Sequence, residues 1–432
     1  MQPKETLTLC PGVLFDYIPT EEYKNAAFAV GFKYRIKRGC SAADAMLSRL
    51  LFRTSRDYPT HTLFSRRLEE LYSTDLSVQS TRHGDFRAAL FQATFLDEPF
   101  VHGIPSFSKE VVSFIAGAIL RPAYDEKGRF REEAIAQEKL TLLDQIKAIK
   151  NSKSAYAHMR LCEITADKTR YDVPDYGTAE EIEGITAQTL AIRYREMLYR
   201  SEIRFVYAGS LPQETVADFI RELFKEILVA RNPVKGSGSM PRRAAHTPIL
   251  RVVEKTDGEQ AILGLSYRLP IGFGSPEAEK AVMLSAVLSD APMALLFSEV
   301  REKNGYCYSI RSSMRSSNRD LVILCGIEPG SEKQVERAVT RVLSTVRAGK
   351  TDPALLSAAL SYVGMALTST FENVDATVNY VLFRRLFGLS VDLSEFIGKC
   401  ASVSARDLAS FLKKVRPDAV YLYTPKGDDG NG

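Results

Sequence analysis

The feature that most constrains this chain is a pattern that occurs twice. One copy is "GITAQTLAIRYREMLYRSEIRFVYAGSL", residues 184–211, and the other is "VSARDLASFLKKVRPDAVYLYTP", residues 403–425. Each reads as an amphipathic helix followed by a strand. Thr186 and Ser404 occupy matching helix-cap positions, each followed by Ala, two polar residues, Leu and Ala. Each copy is preceded, far upstream, by two strand-like runs: "GVLFDYIP" and "NAAFAVGFKY" in the first, "ILRVVEKT" and "QAILGLSYRLP" in the second. A helix follows each set, and then a helix-turn-strand passage, "RRLEELYSTDLSVQS" and "FSEVREKNGYCYSIR". Similarity at about half the chain length implies an internal duplication. The expected fold is α+β: two duplicated domains, each an antiparallel β-sheet with helices packed on one face. The expected boundaries are 1–231 for the first domain and 249–425 for the second. A Gly/Ser/Pro/Arg-rich linker, "NPVKGSGSMPRRAAHTP", spans 232–248, and a polar tail spans 426–432.

Composition narrows the function classes. The 432 residues are too many for one ordinary core, and 45% hydrophobic with 25% charged residues describes a soluble globular protein. The net charge of +4 is small for this length, and no Lys/Arg block interleaves with aromatics, so nucleic-acid binding has no support. The start "MQPKETLTLC" lacks the apolar core of a signal peptide. The uncharged run from Pro353 to Phe371 could be mistaken for a membrane span. Ser357, Ser361, Gly364 and Thr368 lay a polar stripe along it, which predicts an amphipathic helix lying on a sheet. Six scattered cysteines without a C-x-x-C pair read as reduced thiols, and the expected location is the cytoplasm.

The chemistry is marked by what is missing. "AADAMLSRLLFRTS", residues 42–55, is an amphipathic helix on which Ala45, Ser48 and Arg49 stand at i, i+3 and i+4. His158 and Cys162 share a helix face at i, i+4, but a lone pair of this kind rarely holds a metal. His83, in "TRHGDF", is expected to shape a hairpin turn. No G-x-S-x-G, G-x-x-x-x-G-K-[ST] or G-x-G-x-x-G motif is present. In "VREKNGYCYSI", residues 300–310, a helix ends at Lys303, Asn304-Gly305 turns the chain and a strand follows, leaving Arg301 and Tyr308 seven residues apart.

With its duplicated halves, its helix-turn-strand passages and the Arg-Glu-Lys-x-x-x-x-Tyr passage, the chain resembles the insulinase (pitrilysin, or inverzincin) family of zinc peptidases over nearly its whole length. The resemblance implies two half-clamshell domains that close around an unfolded peptide. It also implies an H-x-x-E-H motif whose histidines and a downstream Glu hold zinc while the other Glu acts as general base. The family's "H-F-L-E-H-M-L-F-K-G-T" falls on "AMLSRLLFRTS", so Ala45 and Arg49 stand at the His positions and Ser48 at the base. The downstream carboxylate falls on Gln145, seven after Glu138. Alanine has no lone pair and guanidinium accepts nothing, so no metal and no cofactor are expected. Arg301 and Tyr308 match the second-half pair that contacts substrate backbone. The strand Leu76–Thr81 matches an edge to which substrate adds as an extra strand.

The expected function is therefore a non-catalytic, substrate-contacting subunit. Its partner would be a zinc-bearing H-x-x-E-H homologue in a heterodimer, or a second copy of itself, with no membrane or nucleic-acid partner. The alternatives are a structural or regulatory pseudopeptidase, in a bacterial subgroup associated with elongation factor P modification, and an active zinc peptidase with displaced ligands.

Overall fold

The computed structural model describes residues 6–166, 175–230, 243–256, 259–272 and 274–426. Most of the expected linker, 232–242, and the tail residues 427–432 lie outside the described residues. The chain forms two compact units. In the first, β1 (Leu7–Cys10), β2 (Val13–Pro19), β3 (Asn25–Arg35), β4 (Asp75–His83), β5 (Phe86–Leu96) and β6 (Glu202–Gly209) form one sheet in the order β1-β2-β6-β3-β5-β4. In the second, β7 (Leu250–Thr256), β8 (Ala261–Arg268), β9 (Ser309–Arg315), β10 (Asp320–Ile327) and β11 (Arg416–Pro425) follow the order β7-β11-β8-β10-β9. Apart from β1 the two orders are the same. In both, the last strand inserts between the first two of the repeat. It pairs parallel with one, β6 with β2 and β11 with β7, and antiparallel with the other. The remaining pairs are antiparallel, so the duplication read from sequence is a duplication of topology.

The caps that marked the repeat do the same work in each copy. Thr186 accepts from the Thr189 N–H at the start of Ala187–Arg200, and Ser404 accepts from the Asp407 N–H at the start of Ala405–Leu412. Each satisfies a backbone donor that the first helical turn leaves unpaired.

The helices cover both sheet faces, not one. In β3 the side chains of Phe28, Val30 and Phe32 point into a core shared with Phe15, Phe91, Phe205 and the Ser41–Leu51 and Phe107–Leu120 helices. Residues of the opposite parity face the Val374–Leu386 helix, and Lys33 donates to the Leu386 carbonyl at 2.7 Å. The second unit repeats this arrangement. Leu263, Leu265 and Ile323 enter one core, while Ile262, Val322, Ala419 and Tyr421 pack on Ala157 and Leu161 of the Lys153–Ala166 helix.

Each of these covering helices comes from the opposite half of the sequence. The first unit comprises residues 1–146, 173–236 and 369–391, and the second comprises 147–172, 237–368 and 392–432. The compact units therefore differ from the contiguous halves 1–231 and 249–425 by an exchange of one segment in each direction.

Close approach of the covering helix requires glycine at one point in each sheet. A Cβ on Gly31 would lie 3.0 Å from Leu382 and 3.2 Å from Leu386, and one on Gly264 would lie 3.1 Å from Leu161. These glycines hold equivalent places in "VGFKYR" and "LGLSYR" of β3 and β8.

The Pro353–Thr368 helix buries Leu355, Ala359 and Val363, and its Ser357, Ser361 and Thr368 stripe is exposed, as expected. Among the described residues its main contacts are with helical elements and not with the expected sheet. The helix packs on the Ala278–Ser285 and Leu393–Ala401 helices and on the turn at Ala286–Asp290. Periodicity reports that a helix has an apolar face but not which element covers it.

Two predictions follow from these covered faces. Gly31→Val and Gly264→Val should each lower stability by about 1–3 kcal/mol through overpacking, seen as an earlier thermal transition by circular dichroism. Gly364→Ala, at a helical site where a Cβ meets nothing within 4 Å, should raise stability by up to about 1 kcal/mol.

A third prediction concerns pH. The His83 ring packs on Phe383 and Phe387 of one exchanged helix, and His158 sits on the other. Burial lowers both imidazoles to about 4, and for His158 the Arg315 cation adds to the effect. The unfolded chain binds these protons near 6.5 and the folded chain does not. Stability is then fully present above about pH 6.5 and declines as pH falls toward 4, by up to about 3 kcal/mol per histidine. Unfolding midpoints across that range should show the decline, and His83→Phe with His158→Gln should flatten it.

Candidate functional site: a degenerate metal centre and an exposed Arg/Tyr turn

The helix Ser41–Leu51 holds the positions that the family resemblance assigns to zinc. It is fixed from behind by a buried ion pair. Arg193, on Ala187–Arg200, donates from Nε to Asp44 Oδ1 at 2.7 Å and from Nη2 to Asp44 Oδ2 at 3.0 Å, both side chains being only 2% exposed. A forked guanidinium sets the helix's rotation as well as its position.

On the other side of the helix the side chains are unsuited to a metal. Ala45 is buried and carries no donor atom. The Ser48 hydroxyl is buried and donates to the Asp44 carbonyl at 3.1 Å, a local bond that uses its proton within its own helix. Arg49 Nε donates to Glu138 Oε2 at 2.7 Å, and Arg53 Nη1 also binds Glu138, at Oε1. Glu138 is 1% exposed, so its carboxylate is neutralised by guanidinium groups where a metal site would supply a divalent cation. Gln145, two turns further along the Glu132–Asn151 helix, offers a neutral amide whose Oε1 is buried with no hydrogen-bond partner among the described residues. Glu138 and Gln145 thus lie on one helix face, as the seven-residue spacing requires.

These residues do not fit a zinc ion. The two histidine positions hold a methyl group and a permanent cation, and the nearest carboxylate is already engaged by two arginines. Among the described residues no three His, Cys, Asp or Glu side chains gather so as to hold a metal. The His158/Cys162 pair is a different arrangement. Cys162 Sγ lies 3.9 Å from both ring nitrogens and accepts from Arg315 Nη1 at 2.7 Å, so a cation occupies the approach a metal would need.

Sequence reading found Ala45, Ser48, Arg49 and Gln145 but gave no role to Glu138, Arg53, Asp44 or Arg193. The spacing of Arg49 and Arg53 at i, i+4 was a visible signal. Their common carboxylate, 85 residues away from Arg53, was not.

The second candidate lies in the second unit. The helical turns Phe297–Glu302 end where Gly305, at φ +64°, turns the chain, and its N–H donates to the Arg301 carbonyl at 2.9 Å. The Tyr308 N–H donates to the Gly326 carbonyl at 2.8 Å, which joins this turn to β10 just before β9 begins. Arg301 and Tyr308 are both exposed, Tyr308 by 50%. The Arg301 guanidinium stacks over the Phe297 ring at 4.8 Å, leaving its N–H edge open. The Tyr308 hydroxyl donates to Glu328 Oε1 at 2.7 Å, and that bond raises the phenol's pKa, keeping it protonated. The third element, β4, is the outer strand of the first sheet, with no strand paired to its far edge among the described residues.

Comparison with known proteins bears on this geometry. Residues 184–362 match the family model described as the peptidase M16 inactive domain. The chain is 20% identical over 421 residues to the "Probable inactive metalloprotease YmfF" of Bacillus subtilis, covering 97% of both chains. It shares its fold with a conserved protein from Enterococcus faecalis at TM-score 0.91, with 21% identity and 100% of each chain covered. It also shares its fold with a peptidase M16 inactive domain from Pseudomonas fluorescens, at TM-score 0.79 and 15% identity over 98% of each chain. The M16 family is the insulinase or pitrilysin family of the sequence resemblance. This chain is similar to its members, and the helix that the resemblance assigns to the metal carries two arginines bound to one buried glutamate.

Proposed function

We propose that the chain is the non-catalytic, substrate-contacting subunit of a heterodimeric M16 peptidase, whose partner is an H-x-x-E-H homologue that holds the zinc. The observation that carries this reading is a contrast between two sites. The helix assigned to the metal is occupied by Arg49 and Arg53 bound to the buried Glu138, whereas Arg301 and Tyr308 remain exposed and have no such replacement. A guanidinium stacked on Phe297 and a phenol oriented by Glu328 are preorganised donors. Placed beside a carbonyl under attack by a zinc-bound water, they would stabilise the developing negative charge without reorganising much. Tyr308 would have to turn its proton from Glu328 to the substrate oxygen, a rotation about one bond. The edge of β4 adds backbone hydrogen bonding for an extended, unfolded peptide.

The reading makes two predictions. The purified chain should hold much less than one zinc per molecule and should not cleave unfolded peptides by itself. One tightly bound zinc, with chelator-sensitive cleavage by the lone chain, would show that displaced ligands make it an active peptidase. Once the chain is mixed with its zinc-bearing partner, Arg301→Ala or Tyr308→Phe should lower turnover by about 10²-fold while leaving the dissociation constant between subunits unchanged. Wild-type turnover from both variants would remove the substrate-contacting role and favour a purely structural subunit.

A further inference from the structure

The degenerate metal centre has more positive charge than its own carboxylate can neutralise. Arg49 lies in the last turn of the Ser41–Leu51 helix and Arg53 just beyond its end, and both converge on Glu138. Two permanent cations against one buried carboxylate leave an excess of one positive charge. The ion pairs use Nε of Arg49 and Nη1 of Arg53. The other guanidinium N–H groups have no protein acceptor among the described residues, and the two side chains stay 30% and 39% exposed. Glu138 therefore acts as an anchor. It fixes the position of both guanidinium groups and leaves donors facing outward, which reduces the entropy lost on binding a further anion. The Ser41–Leu51 helix packs against β4, the open edge of the sheet. A peptide added along β4 would lie on the strand that this helix contacts.

We propose that Arg49 and Arg53 form a carboxylate-binding site for an extended peptide lying along β4, so that the former metal centre recognises a charged peptide group. The inference rests on the peptide-contacting reading above and adds the chemistry of the group that is bound. A carboxylate is the matching ligand because its two in-plane oxygens accept from an arginine fork. It can come from a peptide's C-terminus or from an Asp or Glu side chain.

The test uses the full chain and three N-dansylated decapeptides built from Gly, Ser, Leu and Phe. One ends in a free carboxylate, one in a carboxamide, and one in a carboxamide with a single Glu near the end. Fluorescence anisotropy should show at least about tenfold tighter binding of one acidic peptide than of the neutral one. The better acidic peptide identifies the source of the carboxylate. Arg49→Gln or Arg53→Gln should reduce the preference to less than about threefold. If either glutamine variant fails to fold, Arg53→Lys keeps the charge but loses the fork, and should lose part of the preference. Equal binding of all three peptides would overturn the carboxylate site and leave peptide contact standing. Binding of none would overturn both. A preference that persists in Arg49→Gln and Arg53→Gln would place the carboxylate elsewhere and overturn the proposal.

Discussion

The structure depends on the burial of its central strands on both faces. β3 and β8 are buried along almost their whole length, and a strand in that position needs an apolar layer above and below it. Each half of the sequence supplies one layer to its own sheet. The second layer is the helix received from the other half, Val374–Leu386 on one sheet and Lys153–Ala166 on the other. A half expressed alone would leave that face of its sheet exposed to water. The duplicated domains are thus similar in topology yet each incomplete without the other's segment. Gly31 and Gly264 mark where the exchanged helices approach the sheets most closely.

Ion pairs hold the Ser41–Leu51 helix in place, although Ala45 and Arg49 offer no metal ligand. Asp44 and Arg193 fix it from behind, and Glu138 holds Arg49 and Arg53 at its far end. An arginine can occupy such a site because the guanidinium brings its own charge to a carboxylate that would otherwise be buried unpaired. The packing is kept, and the buried carboxylate remains paired with cations. A fold shared with peptidases does not by itself require the reaction.

A large part of this was legible in the sequence. The repeated helix-cap pattern at Thr186 and Ser404 reports local hydrogen bonding, and local hydrogen bonding is encoded by neighbouring residues. The strand runs and the turn at Asn304-Gly305 are legible for the same reason. That Ala45 and Arg49 cannot ligate a metal was legible because helical spacing alone sets these positions, and no tertiary contact can give alanine a lone pair. The Arg301 and Tyr308 spacing was legible, although their stacking on Phe297 and bonding to Glu328 were not.

The sequence by itself determined that the chain is duplicated, that each half is α+β, and that Ala45 and Arg49 offer no metal ligand. Only the tertiary structure decided which helix covers which face, and it assigned one helix of each half to the other unit. It also decided that the Pro353–Thr368 helix rests on helices, and that Arg49 and Arg53 share a buried glutamate. The reason lies in range. Caps, turns and periodic faces are fixed by residues a few positions apart. An apolar face or an unpaired charge specifies only the kind of partner it needs, and the partner chosen, Leu382 for Gly31 or Glu138 for Arg53, lies tens to hundreds of residues away.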